Sequence, residues 1–216
     1  MTVTEAPRAV GRPRDPRLDA AITGATLELL ADIGYAALTI EAVATRAGVG
    51  KATLYRRWSG KEQLVIDAVR TLTEQPEPDE TAGVRDELVR MLEAVRRKST
   101  SSLAGKIFPR LIGESADSPE LMRRYREQVL DPRRDRFRAA LLRGVEQGLV
   151  RPDLDTDHAI DLLVGPMAYR NLIRTDPPPG PELAGRIVDD VLRALAPDPT
   201  GAGPRHTSTP APQEDA

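Results

Sequence analysis

The stretch from Thr39 to Trp58, TIEAVATRAGVGKATLYRRW, decides the fold of this chain. Apolar residues recur at helical spacing on both sides of Gly48-Val49-Gly50, which predicts two short helices joined by a tight corner. Thr39 suits the N-cap of the first helix, and Gly48 suits a left-handed position at its end. The second helix collects cations and aromatic side chains, although the chain has only 3% aromatic residues and one tryptophan.

On a helical wheel of the second helix, Leu54 and Trp58 form one apolar edge that can pack on the preceding helix, and the opposite side is polar. This is the helix-turn-helix arrangement, whose second helix enters the major groove of DNA. The side chains predicted to hydrogen-bond base edges are Lys51, Thr53, Arg56 and Arg57, and the small side chain of Ala52 permits close approach to the bases. The predicted phosphate contacts are Thr39, Tyr55 and Lys61.

Outside this stretch the helical pattern continues in both directions and strand signals are almost absent, so we predict an all-α fold. Before the corner, Asp15-Pro16 starts a helix at about 16–33 that Gly34 stops. After it, Ser59-Gly60-Lys61-Glu62 reads as a capping box for a fourth helix. Later helical patterns are centred on residues 82–98, 103–115, 119–130, 132–148, 156–174 and 182–196.

Breaks in these patterns divide the chain into four predicted parts. The parts are a basic disordered arm at 1–15, a three-helix helix-turn-helix domain at 16–62, a helical ligand-binding and dimerisation domain at 63–196, and a disordered tail at 197–216. In the arm, Gly11-Arg12-Pro13-Arg14 is similar to an AT-hook, whose arginines enter a narrow minor groove. A solvated arm explains the same four residues equally well.

Composition excludes several classes of function. The chain has no cysteine, so thiol nucleophiles, disulfides and zinc ribbons are excluded, and its two histidines form no zinc-binding or charge-relay pair. No apolar run is long enough to cross a bilayer and no secretory signal is visible, so we expect a cytoplasmic protein that associates with the nucleoid when it is bound to DNA. The net charge is −2, but residues 1–61 hold nine basic against six acidic side chains.

Two apparent ligand-binding motifs fail on inspection. Gly50-Lys51 is followed by Ala52 instead of the serine or threonine that a phosphate-binding loop needs. Asp153, Asp155 and Asp157 begin like a calcium loop but continue without its glycine and glutamate, so we interpret them as a helix start. We therefore predict no enzyme activity, no metal and no cofactor.

The segment from Leu27 to Ala68 closely resembles the DNA-binding region of the tetracycline-repressor (TetR) family of bacterial regulators. The resemblance is carried by Gly34-Tyr35, Leu38-Thr39, Ala44, Ala47-Gly48-Val49, Leu54-Tyr55 and Lys61-Glu62. It implies that Lys51, Ala52, Thr53, Tyr55 and Arg57 occupy recognition-helix contact positions and that Lys61 contacts a phosphate. Trp58 departs from the pattern, since phenylalanine is commoner there, and so does Gly50, where a small polar residue is frequent.

The resemblance also implies a homodimer, formed through helices near 157–174 and 182–196, that binds double-stranded operator DNA. These apolar stripes could instead face only their own subunit. A small-molecule effector is implied as well, with pocket candidates Phe108, Leu111, Ile112, Met122, Tyr125, Phe137, Met167, Tyr169 and Asn171, each of which could equally be plain core. The function predicted is a transcriptional regulator that an effector releases from its operator. The alternative is a helical ligand-binding or protein-interaction module with a vestigial DNA-binding head.

Overall fold

A computed structural model describes residues 15–73, 81–99, 102–114, 116–173, 178 and 180–197. These residues are mainly helical and none of them lies in a strand, which confirms the all-α prediction. The α-helices are α1 (Pro16–Ala37), α2 (Ile40–Ala47), α3 (Lys51–Tyr55), α4 (Lys61–Leu72), α5 (Val84–Ser99), α6 (Ser102–Gly113), α7 (Pro119–Tyr125), α8 (Asp131–Glu146), α9 (Thr156–Leu172) and α10 (Glu182–Ala194), with a π-helical segment at Arg126–Leu130. Residues 1–14 of the predicted arm and most of the predicted tail lie outside the described residues.

The chain packs into two compact units. The first contains α1 to α4 together with α6, α7 and the π-helical segment as far as Val129. The second contains α5, α8, α9 and α10. The first unit therefore recruits helices from beyond the predicted helix-turn-helix domain, and the functional boundary drawn after residue 62 stays a prediction.

Helix α1 begins as its sequence predicts and continues past its predicted end. The Asp15 carboxylate accepts a hydrogen bond from the backbone N–H of Arg17 at 3.0 Å, and Pro16 fills the first helical position. Gly34 interrupts the helical backbone with φ 77° and ψ 175°, and one further turn follows to Ala37. The predicted break at Gly34 is thus confirmed, whereas the predicted end at residue 33 is wrong because the chain resumes a helical turn after the break.

Two glycines of α1 are expected to respond in opposite ways to alanine. At Gly34 the backbone angles are nearly exclusive to glycine, so Gly34→Ala should lower the free energy of unfolding by about 1–3 kcal/mol. Gly24 has no positive φ, and Gly24→Ala should raise it by about 0.5–1 kcal/mol. An added Cβ meets no atom within 4 Å at either site, so packing contributes to neither effect.

Urea unfolding of the two variants and the parent chain, at one protein concentration, measures this difference. Equal stabilities for Gly34→Ala and Gly24→Ala would contradict the claim that the backbone at Gly34 requires glycine.

The corner between α2 and α3 forms as its glycines predict. The Thr39 hydroxyl accepts a hydrogen bond from the backbone N–H of Ala42 at 3.1 Å and so caps α2. Gly48 adopts the left-handed conformation with φ 68°. The backbone N–H of Val49 then donates to the carbonyl of Ala44 at 2.9 Å, which closes the corner and turns the chain into α3.

The capping box predicted at the start of α4 is wrong. Gly60 occupies the N-cap position, and no side chain caps the helix there. Glu62, the predicted partner in the box, instead accepts a hydrogen bond from the hydroxyl of Tyr35 at 2.7 Å. A buried phenol needs an acceptor more than the exposed helix end needs a cap, so a tertiary contact replaces the local one.

The helix predicted over 119–130 changes type after Tyr125. Residues Arg126–Leu130 widen into a π-helical turn before α8 begins at Asp131. Pro132 has no backbone N–H with which to continue an α-helical ladder, and its ring would clash with the carbonyl four residues earlier. A wider turn just before the proline relieves both problems, which accounts for the difference.

The second unit has one hydrophobic core, to which all four helices contribute. Its large buried side chains include Leu88, Phe137, Leu141, Ile160 and Leu163. Asp155 caps α9 by accepting a hydrogen bond from the backbone N–H of His158 at 3.0 Å, so the acidic stretch is a helix start, as interpreted.

Candidate DNA-binding site

Helix α3 is anchored by the two side chains that the wheel assigned to its apolar edge. Leu54 is fully buried and Trp58, three residues after the helix ends, is 7% exposed. The apolar side chains of α2 that are buried alongside are Ile40, Val43 and Ala44. The predicted role of Trp58 as a core residue is confirmed. Because this edge is fixed, the opposite side of α3 is presented to solvent.

The outward side of α3 carries most of the predicted base contacts. Lys51, Ala52, Tyr55 and Arg56 are exposed, with Tyr55 58% exposed, and Thr53 is half-buried. A guanidinium nitrogen of Arg56, Nη2, donates to the hydroxyl of Thr53 at 3.3 Å, which brings the two predicted base contacts together. We call these five residues the recognition face.

Lys51 has a partner on α2 that sequence reasoning missed. Its Nζ lies 2.8 Å from Oε1 of Glu41, and both side chains are more than half exposed. The hydrogen bond from Lys51 holds the pKa of the Glu41 carboxyl below its usual range. A contact between exposed charges is weak and screened by salt, so a phosphate or base can displace it.

Arg57 differs from the other predicted base contacts. Its side chain is 15% exposed, and Nε lies 2.5 Å from Oδ1 of Asp19 on α1. The guanidinium therefore faces α1 and links the residues that follow α3 to that helix. Nothing in the local sequence signals this pair, because the two residues are 38 positions apart. A direct contact between Arg57 and DNA stays a prediction.

Lys61 lies at the start of α4 in a cluster with Tyr35 and Glu62. Its Nζ donates to the carbonyl of Ala36 at 3.3 Å and stands 4.1 Å from the centroid of the Tyr35 ring. Burial lowers the pKa of Lys61, the hydrogen bond from Tyr35 lowers the pKa of Glu62, and burial raises the pKa of Tyr35. The ammonium is thus held in place at a helix N-terminus, a position that suits a phosphate.

Thr39 and the two arginines of the arm complete the predicted DNA-binding site. Thr39 is exposed, but its hydroxyl oxygen already caps α2, and it can still donate its proton to a phosphate. Arg12 and Arg14, the predicted minor-groove residues, lie outside the described residues. Gly50 precedes α3 without any side-chain cap, as expected from its lack of a hydroxyl.

The predicted effector-binding residues divide between the two units. Phe108, Leu111, Ile112, Met122 and Tyr125 belong to the first unit, and Phe137, Met167, Tyr169 and Asn171 belong to the second. The buried members are Leu111, Tyr125, Phe137 and Met167, while Ile112 and Tyr169 are 38% and 54% exposed. The set stays a prediction as an effector site. Within the described ranges, no group of three or more histidine, aspartate or glutamate side chains is placed to hold a metal ion.

The packed corner and the exposed polar face of α3 define a helix-turn-helix DNA-binding protein. Residues 22–68 match the family described as "Bacterial regulatory proteins, tetR family", and residues 78–191 match "Tetracyclin repressor-like, C-terminal domain". The chain belongs to the TetR family and is a DNA-binding transcriptional regulator.

Proteins of related sequence match most of the length of this chain. An uncharacterized HTH-type transcriptional regulator of Bacillus subtilis (strain 168), YdeS, is 36% identical over 168 residues, which are 77% of this chain and 84% of that protein. The DNA-binding transcriptional repressor TetR of Mycobacteroides abscessus is 30% identical over 178 residues, 82% of this chain and 92% of that protein. The TetR family transcription regulator SCO0332, solved as a crystal structure, matches with a TM-score of 0.63 and 32% identity, covering 84% of this chain and all of that chain.

Among the residues that the structure describes, none of the helices combines the length and the apolar character needed to span a bilayer.

Proposed function

We propose that this regulator is a homodimeric repressor that reads its operator with the recognition face of α3 and leaves it when a small-molecule effector binds. The observation that carries the proposal is the solvent-facing polar side of a helix whose other side is pinned by Leu54 and Trp58. Base readout in the major groove needs such a face on a rigidly held helix. Phosphates would be contacted by Thr39, Tyr55 and Lys61.

Dimerisation through α9 and α10 is supported by the surface of the second unit. An open groove of about 340 Å³ lies between the two helices, lined by Leu162, Pro166, Arg170, Leu183, Arg186, Ile187, Asp190 and Val191. Leu162 is 40% exposed there, and near the end of α9 Leu172 and Ile173 are 37% and 68% exposed. Apolar side chains exposed along α9 suit a protein interface. Two copies of α3 would then reach half-sites roughly 34–36 Å apart.

Repression with effector release is the regulatory scheme that we propose. The repressor named in Mycobacteroides abscessus, which is 30% identical, supports the sign of regulation. An effector can release DNA only if it binds the nonbinding conformation more tightly than the DNA-binding one.

The division of labour between base and phosphate contacts gives a direct test. Thr53→Ala removes a hydroxyl and a methyl group from the recognition face, so it should cut discrimination between the operator and single-base variants by about 1–3 kcal/mol at one position. Lys61→Ala removes a phosphate contact, so it should weaken binding to every duplex alike and make the binding less dependent on salt. Fluorescence anisotropy with an operator selected from a random-sequence library measures both effects.

Lys106→Ala is the control for Lys61→Ala, since Lys106 is an exposed lysine of α6 outside the recognition face. It should leave affinity unchanged. Equal loss of base preference in Thr53→Ala and Lys61→Ala would contradict the proposed roles. Unchanged binding in both would favour the alternative of a vestigial DNA-binding head.

We assign this protein no catalytic role, since regulation by binding accounts for its family and its exposed site. It would act in the cytoplasm, at the nucleoid when it occupies an operator.

A further inference from the structure

The indole N–H of Trp58, the chain's single tryptophan, has a charged acceptor on another helix. Nε1 donates to Oδ2 of Asp67 in α4 at 2.9 Å. The ring is almost completely buried, and a buried indole N–H is costly without a partner. The bond therefore fixes how the ring is turned as well as where it lies. Phenylalanine would fill much of the same volume without supplying this donor.

Asp67 is in turn held by Gln63, one turn earlier in α4. Nε2 of Gln63 donates to Oδ1 of Asp67 at 3.0 Å and lies 3.0 Å from Oε1 of Gln128 in the π-helical segment. Oε1 of Gln63 accepts a hydrogen bond from Nη1 of Arg124 in α7 at 3.0 Å. We call Trp58, Asp67, Gln63, Arg124 and Gln128 the indole chain. All five residues belong to the first compact unit.

Charges at both ends of Gln63 leave its amide only one favourable orientation. The carboxylate of Asp67 only accepts hydrogen bonds, and the guanidinium of Arg124 only donates them. Turning the amide over would place its NH₂ against the guanidinium and its oxygen against the carboxylate. Gln63 therefore couples the position of α7 to that of Asp67, because only this orientation of its amide satisfies both charged partners.

Trp58 is well placed to affect α3. The helix has only five residues and ends at Tyr55, so it cannot be stable by itself and depends on its anchors. The backbone N–H of Trp58 donates to the carbonyl of Leu54 at 2.9 Å, which joins the anchored ring directly to the last turn of α3. A rotation of the indole would thus shift the end of the recognition face.

We propose that Asp67 and Gln63 are positioning residues for DNA recognition, which hold α3 through the indole N–H of Trp58 and connect it to Arg124 and Gln128. The proposal rests on the proposed role of the recognition face. Side-chain hydrogen bonds then connect α3 with α7 and the π-helical segment. A change in the position of Arg124 or Gln128 then shifts α3 relative to the DNA bases.

Two variants of the full-length protein cut the indole chain at separate points. Trp58→Phe removes the N–H and keeps an aromatic anchor. Gln63→Leu breaks the connection to α7, while Arg124 keeps its hydrogen bond to Glu120 at 2.7 Å. Each should lower affinity for the selected operator about three- to tenfold, with a smaller loss on random-sequence duplex, because a misplaced helix loses base contacts before phosphate contacts.

The double variant and the fluorescence of Trp58 distinguish positioning from general destabilisation. If both residues act through the indole chain, the double variant Trp58→Phe, Gln63→Leu should lose no more operator affinity than the more affected single variant. The emission spectrum of the sole tryptophan should change in Gln63→Leu. It should stay unchanged in the control Gln147→Leu, which removes an exposed glutamine from the second unit.

Three results would overturn the proposal: wild-type binding by both variants, equal losses on selected and random duplexes, or losses that multiply in the double variant. Thr53→Ala, measured on the same duplexes, keeps this test separate from the proposed function. If Thr53→Ala loses base preference while the indole-chain variants bind normally, the recognition face stands and only the indole chain fails. If neither changes binding, the proposed reading site fails as well.

Discussion

Leu162→Glu is expected to convert the protein into monomers and to lower its affinity for the operator about 100-fold or more. A dimer that engages two half-sites gains a factor of about 10²–10⁴ from its second head, and a monomer loses that gain. Leu162 lines the groove between α9 and α10 and is 40% exposed, so glutamate there leaves the core of the protomer intact. In a dimer interface the same carboxylate would replace an apolar contact and would lose its hydration.

Leu142→Glu is the matched control, because Leu142 is a leucine of α8 in the same unit, is 46% exposed and lies outside the groove lining. Sedimentation velocity should show monomers for Leu162→Glu and dimers for Leu142→Glu. A dimeric Leu162→Glu protein with normal operator binding would contradict an interface at α9 and α10.

Leu54→Ala is expected to weaken operator binding strongly. Leu54 is the fully buried residue of α3, and truncating a buried leucine to alanine lowers the free energy of unfolding by about 2–5 kcal/mol. A helix of five residues has no independent stability to offset that loss, so α3 should detach while the rest of the first unit stays folded. At about 1.4 kcal/mol per factor of ten, the smaller cost already predicts a loss of about 30-fold in operator affinity.

Leu88→Ala provides the comparison, because Leu88 is equally buried but lies in the core of the second unit. It should lower the melting temperature at least as much as Leu54→Ala. Below the melting transition it should retain most of the operator affinity, which anisotropy measures at low temperature. Parallel losses of affinity in the two variants would mean that DNA binding follows overall stability rather than the anchoring of α3.

The local features of the helix-turn-helix could be predicted because each follows from the residue that forms it. Gly48 takes a left-handed conformation, Thr39 caps α2, and Leu54 and Trp58 share an edge because four residues span about one helical turn. The exposed side of α3 follows from the same periodicity. The bases that it reads and the contacts that it makes with DNA stay predictions, to be tested by Thr53→Ala.

The features that the sequence did not reveal are contacts between distant residues. Arg57 pairs with Asp19, which the local sequence does not indicate, and the capping role predicted for Glu62 was displaced by its hydrogen bond with Tyr35. The indole chain is another example, since Gln63 and Gln128 are 65 positions apart. No periodicity within a helix can indicate which partner a side chain will meet across the fold.

The sequence by itself determined the all-α class, the corner at Gly48 and the sidedness of α3, because backbone preference and helical periodicity act over a few neighbouring residues. Only the tertiary structure decided which cations of the predicted site are exposed. Packing brought an acceptor to Arg57 and left Arg56 exposed, since a long charged side chain takes the partner that the folded neighbourhood supplies.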